Sequence, residues 1–70
     1  MVNYNNLWEK LIYKYMKKTD LVKMARISSA TMAKMSMNQA VSMNILVKIC
    51  AVLECDLSDI VTITLAEERI

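Results

Sequence analysis

The sequence contains no histidine, glycine, proline or phenylalanine. Without histidine there is no imidazole to serve as a general base or a metal ligand. Without glycine there is no glycine-rich phosphate loop. Cys50 and Cys55 are the only cysteines, too few for a four-thiolate zinc site. They could form one disulfide, but two cysteines in a chain without an export signal are expected to be reduced thiols. The first residues, Met1-Val2-Asn3-Tyr4-Asn5-Asn6, have no basic stretch leading into an apolar block. That argues against a secretory signal and for a cytoplasmic protein. The longest uninterrupted apolar run is Ile49-Cys50-Ala51-Val52-Leu53, too short for a membrane span. Together these absences point away from an enzyme and from any cofactor or metal.

What is present fits one small domain over residues 1–70. Hydrophobic residues make up 56% of the chain, too many for a disordered segment. At this size one core must use every apolar face. The net charge of +2 hides a division. Residues 1–50 hold eight basic side chains against Glu9 and Asp20, a net +6, whereas residues 51–70 hold Arg69 against five acidic ones, a net −4. A basic half of this kind suits a polyanionic partner; a solvated mixed surface is the plainer alternative.

Periodicity predicts five short helices and one strand. Leu7, Trp8, Leu11, Ile12 and Tyr15 form a helical stripe from about Asn6 to Tyr15, with Asn5 or Asn6 as its cap. A second helix runs from about Lys18 to Ala25 with Leu21, Val22 and Ala25 inward. A third begins after Ser28, a good N-cap, with Met32 and Met35 on one face and Asn38 as its stop. A fourth follows Ser42, with Ile45, Leu46, Ile49, Cys50 and Leu53 on one stripe. Asp56 caps a short fifth helix, Leu57 to about Ile60. Val61-Thr62-Ile63-Thr64-Leu65 then alternates as a strand does. The expected fold is therefore an all-α, compact five-helix domain with a short C-terminal β-strand.

Only Arg26 and Ile27 lie between Ala25 and Ser28, so the second and third helices meet in a tight turn with a steep crossing. Leu21, Val22, Ala25, Ile27, Met32 and Met35 can share one small core. The third helix then shows Ser29, Ala30, Ala33 and Lys34 outward, with Thr31 beside them. Small and polar side chains of this kind let a helix come close to a major groove.

The stretch Met16–Met35, continued by Val41-Ser42-Met43 and Ile45–Ile60, resembles the Cro/repressor-type helix-turn-helix DNA-binding domain. The likeness covers about residues 6–61, with the helix-turn-helix itself at about 18–36. The resemblance implies a transcriptional regulator, a repressor by type, that binds double-stranded DNA without catalysis. It implies that Lys17 and Lys18 meet phosphate at the start of the second helix. Ser28 would cap the reading helix, Ser29, Ala30 and Lys34 would face base edges, and Thr31 and Asn38 would touch the backbone. Arg26 stands where the family usually has glycine. A positive φ there costs a non-glycine residue about 1 kcal/mol or more, which leaves room for a different turn geometry. Met37-Asn38 replaces a frequent terminal glycine.

A lone C-terminal strand needs a partner. The same strand of a second copy would give a homodimer with two reading helices on a two-fold axis; the alternative is pairing with Val2–Tyr4 of the same chain. The methionines are expected in the core or filling gaps, and Trp8 is expected to anchor the first helix on that core. A second functional class remains on the same fold: a protein-interaction module of the antitoxin or anti-repressor type.

Overall fold

A computed structural model describes residues 1–64. The elements follow in the order β1 (Val2–Asn3), α1 (Asn5–Tyr13), α2 (Lys18–Ala25), α3 (Ser29–Ser36), α4 (Met43–Leu53), a 3₁₀ turn (Leu57–Asp59) and β2 (Thr62–Ile63). The α-helices among the described residues thus number four, not five. The stretch after Asp56 makes one 3₁₀ turn, closed by a single α-type bond from the Val61 N–H to the Leu57 carbonyl at 3.1 Å, and continues no further as a helix. Ile60 N–H bonds back to the Leu57 carbonyl at 3.0 Å, and the Asp59 carboxylate accepts the Asp56 N–H at 2.9 Å, so both ends close within three residues.

The C-terminal strand is shorter than its alternation suggested, and its partner is in the same chain. β2 runs antiparallel to β1, with Val2 opposite Ile63 and Asn3 opposite Thr62. The Met1 ammonium adds a bond to the Thr64 carbonyl at 2.7 Å. Pairing of this strand with a second copy is therefore not how its inner edge is satisfied. Leu65 lies outside the described residues.

The core gathers Tyr4, Leu7, Leu11, Leu21, Ala25, Ile27, Met32, Met35, Leu46, Ile49, Leu53 and Ile60. Tyr4 was not legible as a core residue. Its ring is buried, and its hydroxyl donates to the Gln39 carbonyl at 2.7 Å, fixing the chain start to the segment after α3. Burial pushes the Tyr4 phenol up from its ordinary value, so the hydroxyl keeps the proton it donates. In α1 only Leu7 and Leu11 are buried; Trp8 is half-buried, while Ile12 and Tyr15 face solvent. The buried stripe is narrower than expected: Ile12, inside α1, falls beyond the Leu7–Leu11 line, and the stop at Tyr13 turns Tyr15 away. Its first free N–H, from Asn5, goes to Asn3 Oδ1 at 3.2 Å rather than to an Asn5 or Asn6 side chain. The methionines divide: Met32 and Met35 are core, Met16 packs against it, and Met24, Met37 and Met43 are exposed.

All four α-helices stop by one device. The residues Tyr15, Arg26, Asn38 and Glu54 take positive φ, at 57°, 56°, 58° and 55°. In each case the next residue's N–H reaches back five positions: Met16 to Leu11 at 2.8 Å, Ile27 to Val22 at 3.2 Å, Gln39 to Lys34 at 2.9 Å and Cys55 to Cys50 at 3.1 Å. This is the Schellman ending, normally built on glycine. The sequence has none, so all four stops put a Cβ into the left-handed region, at about 1–2 kcal/mol each for Tyr15, Arg26 and Glu54, while asparagine tolerates it better. The bonded ends offset that strain by satisfying carbonyls that α-helices leave open.

Tyr15→Gly and Glu54→Gly are each expected to raise stability by about 0.5–1 kcal/mol, the strain removed less the extra freedom of unfolded glycine. Tyr15 is 96% exposed, so its side chain gives up no packing. Thermal unfolding should shift upward by roughly 4–8 °C per kcal/mol for a domain of this size. Alanine at the same positions should give no such gain; equal effects of glycine and alanine would contradict the strain.

Candidate nucleic-acid interface

The turn between α2 and α3 positions the candidate surface. Arg26 holds φ 56° and ψ 48°, so the left-handed geometry is kept without glycine. Ile27 follows and is buried. Burying such a side chain stabilises by about 1.5–3 kcal/mol, which outweighs the strain at Arg26. Ser28 then turns extended and starts α3. Its Oγ accepts the Thr31 N–H at 3.0 Å and shares a hydrogen bond with Thr31 Oγ1 at 2.9 Å. Ser28 is therefore the helix cap expected, and the Thr31 hydroxyl is hydrogen-bonded to it.

With Met32 and Met35 inward, α3 leaves Ser29, Ala30, Ala33 and Lys34 exposed, with Thr31 half-buried beside them. The outward set is the one expected from spacing. No large apolar side chain between Ser29 and Ser36 stands on it, and Met37, the C-cap, is exposed just beyond. Asn38 is exposed just past the end of α3, its left-handed backbone redirecting the chain.

The start of α2 carries two more cations, of which Lys18 reaches the end of α3. Lys17 is the N-cap, extended, and its N–H is taken by Asp20 Oδ2 at 2.9 Å. A carboxylate at that position also suits the positive end of the helix. Lys17 is exposed. Lys18, next in line, is not a free surface lysine. Its ammonium lies 4.1 Å from the centre of the Trp8 ring and donates to Ser36 Oγ at 2.9 Å. The dipole explains the direction: a cation is unfavourable at the N-terminus of α2 and favourable at the C-terminal turn of α3, where Ser36 sits. One side chain thus ties α1, α2 and α3 together. Trp8, expected as a plain core anchor, is half-buried under that ammonium and stands edge-on to Tyr4 at 6.3 Å between ring centres.

Ser36 was missed. Nothing in the sequence pairs it with Lys18, eighteen positions earlier. Arg26, noted only as a glycine replacement, is an exposed cation in the turn that leads into α3.

Among the described residues no helix is long and apolar enough to cross a membrane. No group of three or more His, Cys, Asp or Glu side chains there is arranged to hold a metal ion.

This geometry agrees with what the chain resembles elsewhere. The model of the Cro/C1-type helix-turn-helix DNA-binding domain matches residues 6–65, and the chain belongs to that family. It is also similar to a solved protein, the transcriptional regulator VanUg in its crystal form II. The two are 43% identical, with a TM-score of 0.85, over 87% of this chain and 81% of that one. No curated protein matches the chain.

Lys18→Met, which keeps the apolar stem, is expected to shift the Trp8 fluorescence emission and to lower stability by about 0.5–1 kcal/mol, the usual worth of an exposed cation–π contact. Ser36→Ala should move the emission in the same direction by less. An unchanged spectrum and unchanged stability in both variants would show that the ammonium does not rest there in solution.

Proposed function

We propose that this protein is a sequence-specific DNA-binding transcriptional regulator that acts by occupancy, with α3 in the major groove. The observation that carries the reading is the outward face of α3: small, polar and singly charged, on a helix whose other side is locked into the core. Family membership and the likeness to VanUg support the regulatory role.

In this reading Ser29, Ala30 and Lys34 face base edges. Lys34 donates to guanine O6 or N7, Ala30 meets a thymine methyl, and Ser29 bonds to whichever group lies opposite. Lys17, Lys18, Ser28, Thr31 and Asn38 lie against sugar and phosphate and set the register, the Lys18 ammonium using a donor left over from its bond to Ser36. Lys17 and Lys18 work with the positive end of α2, which attracts an anion of its own. The reading set is thin, without arginine, asparagine or glutamine at the three base-facing positions. One copy therefore distinguishes few base pairs. A homodimer doubles the site and reads two half-sites roughly 34 Å apart. Blocking a promoter would make it a repressor.

The test is the salt dependence of binding to a selected duplex. Each phosphate contact contributes about −0.9 to the slope of log affinity against log salt. Lys17→Ala and Lys18→Ala should each flatten it by about one such step, while Ser29 and Lys34 substitutions should change the preferred sequence and leave the slope nearly as it was. A slope indifferent to both lysines rejects the backbone assignment. A sequence preference indifferent to Ser29 and Lys34 rejects the reading helix.

A further inference from the structure

A pair of thiols lies outside all of this, at the far end of α4. Cys50 and Cys55 are five positions apart, and neither is in a disulfide. The Schellman ending at Glu54 joins them: Cys55 N–H bonds to the Cys50 carbonyl at 3.1 Å, closing the loop between the two residues. That ending characteristically brings the side chains of its first and last residues into contact. Here those two side chains are both cysteines. Both are half-buried, and both line one open crevice of about 550 Å³ with Glu54, Asp56 and Asp59. The same device at the other helices joins Leu11 to Met16, Val22 to Ile27 and Lys34 to Gln39; only here is the joined pair able to form a bond.

We propose that Cys50 and Cys55 are a dithiol modification site, which a low-molecular-weight disulfide such as oxidised glutathione converts to an intramolecular disulfide across the end of α4. The exchange proceeds in two displacements. The Cys55 thiolate attacks one sulfur of the oxidant, forming a mixed disulfide and releasing one glutathione thiolate. Cys50 gives its proton to solvent, attacks the Cys55 sulfur and expels the second glutathione. Two protein thiols are oxidised and one small disulfide is reduced to two thiols.

Cys50 is the second attacker for a physical reason. Burial first, then the neighbouring Cys55, then the charges of Asp56 and Asp59 push the Cys50 thiol up. A thiol held protonated is a poor first nucleophile. The neighbouring Cys55 compensates, because the second displacement is intramolecular. The same surroundings make the closed disulfide slow to reopen, since a thiol of raised pKa is a poor leaving group.

The full-length reduced chain is exposed to excess oxidised glutathione, quenched with an alkylating agent and weighed, with size separation under non-reducing conditions. The expected product is a monomeric-mass chain lacking two hydrogens, closed to alkylation at both cysteines and restored by dithiothreitol, with a Tm shifted upward. Cys50→Ser is expected to stop at one glutathione adduct. Chains that keep both thiols alkylatable, that end with two glutathione adducts, or that couple into disulfide-linked pairs overturn the proposal. So does a closed product whose Tm falls, because the ending would then not be shaped for the bond.

Discussion

The constraint that organises this molecule is the stopping of four helices without a single glycine. Short helices have little intrinsic stability and depend on packing, and packing depends on where the chain turns. Each turn here places a residue in the left-handed region and bonds the next amide five positions back. The first such turn ends α1 and tucks Met16 against the core. The second crosses α2 onto α3 and buries Ile27. The third frees the chain from α3 toward Gln39, whose carbonyl holds Tyr4. The fourth brings Cys55 over Cys50. Strain at Tyr15, Arg26 and Glu54 is the common cost, and burial of the residue after each turn offsets it at the first two.

That arrangement explains how so small a chain presents a helix. α3 has only eight residues, and its inner side is two methionines. It is held at its start by Ser28, along its length by Met32 and Met35, and at its end by the reach of Lys18 to Ser36. What remains outward is nearly bare. A helix fixed on three sides and bare on the fourth can approach another surface without rearranging, and the positive charge of the first fifty residues makes that surface anionic by preference.

Much of this was legible in the sequence because it is local. Ser28 and Ser42 mark helix starts by their side-chain chemistry, and the stripes of α2, α3 and α4 set their inner faces by spacing alone. Arg26 and Asn38 were legible as turn positions. Tyr15 and Glu54 were not, because neither residue type favours positive φ and only the tertiary fold imposes it. The fifth helix was overcounted because a three-residue 3₁₀ turn and the start of a helix share the same capping chemistry. The pairing of β2 with β1, the burial of Tyr4 and the Lys18–Ser36 bond join residues far apart in the chain, and no local pattern announces such contacts. At the candidate interface, the outward set of α3 followed from period, whereas the engagement of Lys18 and of the Thr31 hydroxyl followed only from coordinates.

The central claim, that the bare face of α3 meets the double helix, is tested most directly by amide chemical shifts followed on titration with duplex DNA. Changes concentrated at Lys17–Thr19, along Arg26–Lys34 and at Asn38 are the predicted result. Changes gathered instead at Glu54, Asp56 and Asp59, with α3 unmoved, would contradict it.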